Sequence, residues 1–369
     1  TSCTDVKVQV GYLDKVSYGT VVEIMNFIYD LPERLLTVKS YFQVIALSKF
    51  KQYLDDCLTN TKLIFDEFQK VNSKSDELQT VNQLTFHAAV HPQNYYLNRY
   101  DDILPYDQTR TILKKKNDQN SIQFSELSTN FTDYINANFI RTIEPLLSSK
   151  NDALQYTANN HCEFIATQGP LKQTIGDFWY MIYLFKCPFI IMLTGLHHNG
   201  QIICDLYWPE KFNTPISYKC IDFEVSVTLL EVNQSNCFVK RIFQVSVSNE
   251  SIELSHNVTQ IHFTEWENFS IPTIRNMHEL VEEYEKDYQL LVNQSTVSIG
   301  PTVVHCSAGV GRTGTFISVL VVRRHLRSAC DFISIPSIVL MLRIWRCCMV
   351  ELKVSSWIVA NLLAIMSNE

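Results

Sequence analysis

The stretch Thr302-Val303-Val304-His305-Cys306-Ser307-Ala308-Gly309-Val310-Gly311-Arg312-Thr313-Gly314 decides how this chain is read. Its first four residues form a nearly continuous apolar run, the pattern of a central strand covered on both faces. A helical pattern follows from Thr313 to Ser328. The residues between must turn tightly at a helix N-terminus, where unpaired N–H groups and the positive end of the helix dipole gather an anion. Gly309 and Gly311 permit the curvature and close backbone approach that a phosphate needs. Arg312 adds a fork that matches two phosphoryl oxygens. The same field lowers the pKa of Cys306 below the free value of about 8.5, so the thiolate is a nucleophile without a separate base. A hydroxyl at Thr313 or at Ser307 is expected to donate to that thiolate and to ease its later departure from phosphorus. A bare Cys–Arg pair arises by chance in many chains. The strand, the glycines, the hydroxyls and the preceding His make the accidental reading the weaker one.

Outward from this loop, Ile190-Ile191-Met192-Leu193 repeats the central-strand pattern, whereas residues 224–229 and 241–247 alternate at period two as half-buried antiparallel strands. Helical spacing from Ile274 to Val292 and from Ile335 to Arg346, the latter with Pro336 in its first turn, supplies covering layers. The expected fold is α/β of the α+β kind, a central, highly twisted mixed β-sheet flanked by helices. Residues 50–369 are expected to form one domain, with 1–49 an N-terminal extension that carries no chemical motif. Near its start the spacing of Phe50, Tyr53, Leu54, Cys57 and Leu58 is helical, and Ile64, Phe65 and Phe68 begin another amphipathic turn.

With 369 residues, 46% of them hydrophobic, the chain can bury a large core. A net charge of −7 argues against a partner recognised through a polyanionic backbone, so no nucleic acid is expected. The 11 cysteines are scattered without paired metal-ligand spacing and point to reduced thiols, a cytoplasmic setting and no metal. No cofactor is implied. The sequons at Asn130, Asn233, Asn249, Asn257, Asn268 and Asn293 are therefore expected to go unused. The apolar run Val21 to Tyr29 is too short to cross a bilayer, and membrane attachment is expected only through a segment upstream of Thr1, the chain then being the cytoplasmic portion of a receptor. Cys347 and Cys348, adjacent on one helix, read as core thiols, His197 and His198 as loop histidines, and Lys114-Lys115-Lys116 as a solvated loop.

From about Phe50 onward the chain resembles the classical protein tyrosine phosphatases, both receptor-like and cytosolic, and their cysteine-based phosphatase fold. The segment Asn98-Arg99-Tyr100-Asp101-Asp102-Ile103-Leu104-Pro105-Tyr106-Asp107 is similar to the family's phosphotyrosine-recognition loop. The resemblance implies that Tyr100 stacks on the substrate ring and Asp102 accepts from substrate backbone. A deep wall of this kind favours phosphotyrosine over shorter phosphorylated side chains. Residues 133–138, Thr167-Gln168-Gly169-Pro170, Phe178-Trp179 and Tyr207-Trp208-Pro209 resemble the family's scaffold motifs. Substrate contact is implied for the loop residues Ser307, Ala308, Gly309, Val310, Gly311 and Arg312 and for Phe269.

The resemblance breaks at the groups that act after binding. Where the family's acid loop reads Trp-Pro-Asp, this chain has Trp266-Glu267-Asn268, and an amide neither protonates a leaving oxygen nor activates water. The family's glutamine loop is replaced by Glu351-Leu352-Lys353-Val354-Ser355-Ser356, and His198 and Ile203 stand where the family has a Glu and a Lys. Arg312 is accordingly expected to be less firmly held. The sequence implies a protein tyrosine phosphatase acting on phosphotyrosine-containing proteins through a cysteinyl-phosphate intermediate with weakened turnover. The alternatives are a pseudophosphatase that only binds phosphotyrosine and, less favoured, a phosphoinositide phosphatase.

Overall fold

The computed structural model describes residues 37–39, 42, 44–113, 133–146, 155–158, 162–220, 224–249, 252–266, 272–295, 299–328 and 331–350. Asn268, Phe269, Lys114-Lys115-Lys116 and residues 351–356 lie outside them.

The centre is a nine-stranded mixed sheet. Its strands in chain order are β1 Arg110–Ile112, β2 Tyr134–Ile140, β3 Phe164–Thr167, β4 Phe189–Met192, β5 Ile216–Lys219, β6 Glu224–Gln234, β7 Phe238–Asn249, β8 Ile252–Phe263 and β9 Thr302–His305. In space they run β5-β6-β7-β8-β4-β9-β3-β2-β1. β8, β4, β9 and β3 are parallel neighbours, and antiparallel strands flank them on both sides. The apolar runs explain this arrangement, because β3, β4 and β9 are buried along their whole length, as a sheet covered on both faces requires. In β6, Val225, Val227 and Leu229 point inward while Glu224 is exposed, the alternation expected of a half-buried strand. β6 and β7 run further than the alternation signalled, to Gln234 and Asn249, and a register shift between Leu229 and Glu231 accommodates the extra length.

Helices cover the sheet: α1 Leu47–Thr59, α2 Thr61–Val81, α3 Ile175–Leu184, α4 Ile274–Gln294, α5 Gly311–Arg327 and α6 Ile335–Trp345. α5 leaves β9 through the cysteine loop and is buried from Gly311 to Arg323, a helix apolar or small on nearly every side because it lies inside the molecule. α6, buried throughout, packs beside it, with Pro336 in the first turn where its missing N–H costs nothing. Phe50, Leu54 and Cys57 of α1 and Ile64, Phe68 and Val71 of α2 join the same core as the sheet. Ile45–Ala46, just before α1, pairs antiparallel with Phe332–Ile333, just before α6. From α6, Arg343 donates to Asn72 Oδ1 on α2 at 2.6 Å and to the carbonyls of Met349 and Val350 at 2.8 and 2.9 Å, which fixes the segment after α6.

Cys347 and Cys348 depart from the sequence reading. α6 ends at Trp345, so they do not share a helix. Cys347 is buried, whereas Cys348 is exposed with φ of +56°. The bulk of Cys347 fills a small cluster with Leu84 and Tyr106, and the left-handed turn sends the next thiol outward. Among the described residues no helix is long and apolar enough to cross a membrane, and no group of three or more His, Cys, Asp or Glu side chains could hold a metal ion.

Ile191, fully buried on β4 between β8 and β9, tests the central packing. Ile191→Ala is expected to cost about 2–5 kcal/mol, read as a lower urea midpoint with unchanged slope.

Candidate active site

At the end of β9 the backbone from Cys306 to Val310 is fixed by what its carbonyls bind. The Cys306 carbonyl accepts from His305 Nδ1 at 3.1 Å, that of Ser307 from the Gly169 amide at 2.8 Å, and that of Ala308 from Arg346 Nη2 at 3.1 Å. The Gly309 carbonyl accepts from Arg346 Nε at 3.0 Å, and that of Val310 from the amides of Gly314 at 2.8 Å and Val350 at 3.2 Å. In a trans peptide the C=O and the following N–H point to opposite sides. Drawing each carbonyl outward therefore turns the amides of residues 307–311 to the other side of the loop. The Gly309 amide shows the result, since it donates to Cys306 Sγ at 3.2 Å. Gly309 must be glycine: its φ is +74°, and a Cβ there would stand 2.1 Å from the Thr167 carbonyl oxygen.

Cys306 is buried. Burial alone pushes its thiol up, but the Arg312 guanidinium, the hydroxyl and amide of Thr313 and the Gly309 amide outweigh it, and the pKa ends below its ordinary value. Thr313 Oγ1 is buried and completes no full hydrogen bond, so its contribution is a hydroxyl dipole beside the sulfur. Ser307 does not serve as the expected thiolate donor. Its hydroxyl donates to the Ile203 carbonyl at 2.7 Å, which leaves the Ser307 oxygen to accept from the Tyr100 hydroxyl, also at 2.7 Å. Tyr100 is thus tied to the loop through its own oxygen, with its half-buried ring standing beside it. Arg312 is buried and donates from Nη1 to the Trp266 carbonyl at 3.1 Å, a support at the start of the acid-loop segment that the residue types at 198 and 203 did not reveal. Asp102 is exposed.

Two supports escaped the sequence reading. The first is Arg346, fully buried behind the loop. Besides the carbonyls of Ala308 and Gly309, it donates to Asn138 Oδ1 at 2.8 Å and Asn136 Oδ1 at 2.7 Å. Residues 136 and 138 lie two apart on β2 and so share one face, placing both amides in reach of one guanidinium. This buried charge is tolerable because four acceptors replace its water. An arginine inside the apolar run from Ile344 to Val350 was the available signal. The second is a directional chain. The Gln260 amide donates to the Tyr207 hydroxyl at 2.7 Å, and that hydroxyl lies 2.9 Å from His305 Nε2. Because Nδ1 of His305 must carry the proton given to the Cys306 carbonyl, Nε2 accepts from Tyr207. Burial holds the His305 pKa down at about 3, so this tautomer persists at neutral pH. The scaffold motifs named above supply the remaining struts. Trp179 Nε1 donates to the Tyr207 carbonyl at 2.6 Å, and Gln168 accepts from the Arg99 amide at 2.8 Å. Arg99 in turn grips the carbonyls of Gly169 and Pro170 and the Asp205 carboxylate.

A lowered-pKa cysteine beside loop amides, with an arginine six residues on, forms one cysteine-centred loop at the end of a parallel strand. Comparison with known proteins carries this one step further. The protein-tyrosine phosphatase family model matches residues 94–359, most of the chain, and the chain belongs to that family. Receptor-type tyrosine-protein phosphatase V of Rattus norvegicus is 34% identical over 266 residues, covering 71% of this chain and 13% of that protein. Tyrosine-protein phosphatase non-receptor type 20 of the same species is 33% identical over 335 residues, covering 87% of this chain and 66% of the relative. Phosphatidylinositol phosphatase PTPRQ of Rattus norvegicus is 31% identical over 320 residues, or 86% of this chain and 12% of that protein. The chain thus spans less than two thirds of each of these relatives.

Two outcomes are expected. Arg346→Ala should release the carbonyls of Ala308 and Gly309 and abolish anion binding, detectable as lost protection of Cys306 from iodoacetamide by inorganic phosphate. Acidification should also destabilise the fold. Burial depresses His305 to about 3 and His256 and His262 to about 4, so below about pH 6.5 the unfolded chain takes up protons that the folded chain refuses. Stability is full above that pH and declines progressively towards about pH 4, which thermal denaturation across the range would record.

Proposed function

We propose that this chain binds phosphotyrosine in proteins and dephosphorylates it through Cys306, with turnover weakened by Asn268. The observation that carries the reading is the orientation of the loop: its outward carbonyls turn the amides of residues 307–311 to the side of a thiol of lowered pKa, where a phosphoryl group would meet them together with Arg312. The Cys306 sulfur attacks phosphorus, the phosphoryl group passes from the tyrosine oxygen to sulfur, and the amides and Arg312 stabilise the equatorial oxygens as charge redistributes. The departing phenolate then takes its proton from solvent, because the amide of Asn268 has none to give. Water finally attacks the S–P bond, releasing phosphate and restoring the thiolate. Tyr100 and Asp102 form the rim that suits an aryl phosphate, and Phe269 belongs to the same substrate-binding set. We further read residues 50–369 as the domain and 1–49 as its extension. The free cysteines among the described residues support a reducing setting such as the cytoplasm.

A second reading, a phosphotyrosine-binding module without turnover, shares every contact made before the phosphoryl group moves and differs only afterwards. Of the relatives, one is named as a phosphatidylinositol phosphatase. Against that activity here stands the Tyr100 hydroxyl bonded to Ser307, which keeps an aromatic wall beside the loop.

Steady-state hydrolysis of a phosphotyrosine peptide, paired with the peptide's affinity for Cys306→Ser, tests the reading. Tight binding with slow hydrolysis is expected, and Asn268→Asp should raise the rate by up to about 10²-fold, short of full recovery because the glutamine loop is also altered. Unmodified protein turning over at about 1–10³ per second would remove the weakened-enzyme reading, and failure of Cys306→Ser to bind the peptide would remove both readings.

A further inference from the structure

We propose that Arg241 is a positioning residue for the cysteine loop: it sets the proton order of a chain of hydrogen bonds that runs through Gln260, Tyr207 and His305 and ends on the Cys306 carbonyl. Strand register puts it there. Arg241 on β7 pairs directly with Gln260 on β8, and His262, two residues further along β8, shares the Gln260 face of the sheet. The guanidinium lies over the Trp208 ring, with Cζ 4.8 Å from the ring centroid. From there Nη1 donates to Gln260 Oε1 at 2.9 Å and reaches His262 Nδ1 at 3.4 Å. Gln260 and His262 are both buried, so their partners are these side chains rather than bulk water.

A guanidinium only donates, and a backbone carbonyl only accepts. At the first end Arg241 therefore takes the oxygen of the Gln260 amide and turns its nitrogen to the Tyr207 hydroxyl, 2.7 Å away. The Tyr207 oxygen accepts there, and its own proton goes to His305 Nε2 at 2.9 Å, with Met192 Sδ at 3.6 Å the weaker acceptor. At the other end the Cys306 carbonyl draws the proton on His305 Nδ1 at 3.1 Å. His262 obeys the same rule independently. Its Nε2 must donate to the Thr194 carbonyl at 2.9 Å, which leaves Nδ1 as the acceptor that Arg241 requires.

The middle of the chain is indifferent to direction. Were the Gln260 amide reversed, Tyr207 would donate to its oxygen and accept from a proton on His305 Nε2, with each interior pair still satisfied. The bare Nδ1 would then face the Cys306 carbonyl, acceptor against acceptor, and the first anchor of the loop would become a repulsion. Only the two ends forbid this order. Arg241 is the end that carries a charge, and a charged donor makes the stronger hydrogen bond. The effect of Arg241 on phosphotyrosine capture rests on the function proposed above, whereas the proton order does not.

The test is the His305 tautomer, read by NMR from the imidazole nitrogens of the histidine-labelled chain and assigned through Overhauser contacts to the neighbouring Tyr207 and Phe178 rings. In the unmodified chain Nδ1 should carry the proton. Gln260→Glu keeps the shape of the side chain but puts acceptors at both positions, so it accepts from Arg241 and Tyr207 alike and should move the His305 proton to Nε2. Adding Tyr207→Phe to that variant cuts the relay and should return the proton to Nδ1. Arg241→Met frees the Gln260 amide to turn and should give both tautomers. In Gln260→Glu the inorganic phosphate concentration that half-protects Cys306 from iodoacetamide should rise about tenfold, because a buried acceptor loses its donor. A proton on Nε2 in the unmodified chain, or on Nδ1 alone in Gln260→Glu or Arg241→Met, overturns the proposal. So does a double variant that keeps the proton on Nε2, or a moved proton with unchanged phosphate protection. Should Arg241→Met not fold, the near-isosteric Gln260→Glu decides alone. If phosphate does not protect even the unmodified chain, the proposed function fails while the tautomers still decide the role of Arg241.

Discussion

The constraint on which the rest depends is the outward anchoring of the carbonyls from Cys306 to Val310. Peptide planarity converts each anchor into an amide aimed the other way, so the loop becomes an array of donors without any side chain being asked to supply them. Two anchors adjoin the loop, His305 before it and Gly314 after it, and the others come from distant parts of the chain: Gly169 after β3, and Arg346 and Val350 after α6. The isolated segment lacks the distant ones. The loop is a product of the assembled sheet and of α5 and α6, which explains why so much of the molecule is committed to holding a few peptide planes.

Electrostatics then separates one buried thiol from others in the same protein. Burial pushes Cys204 up to about 12 and Cys187 higher still, whereas Cys306, equally enclosed, goes down. The difference is local: Arg312, Thr313 and the Gly309 amide all face Cys306. Arg346 serves the same end from behind, exchanging its water for the Ala308 and Gly309 carbonyls and the amides of Asn136 and Asn138, at the cost of a pKa pulled below its ordinary value by burial.

Much of this was legible in the sequence because the signals were local. Apolar runs gave the parallel strands, alternation gave β6 and β7, and Cys306 to Gly314 gave the loop. What was not legible depended on partners far apart in the chain. Ser307 looked like a thiolate donor from its position, but Ile203, a hundred residues earlier, competes for its proton. Cys348 reads as a core thiol if the helix continues through it, yet α6 stops at Trp345 and a left-handed backbone turns it outward. Arg346 was passed over because an arginine in an apolar stretch declares a buried charge without naming the asparagines that will receive it.

Because the groups on the inner side of the loop are main-chain amides, the side chains at Ala308 and Val310 supply none of those donors, and substitution there leaves the donors where they were. The shape of the loop therefore depends on Gly309 and on three positions away from it, Arg346, Asn136 and Asn138. The donors and the groups that aim them are thus encoded in different layers of the same molecule, so the first can stay unchanged in kind while a single substitution in the second turns them away.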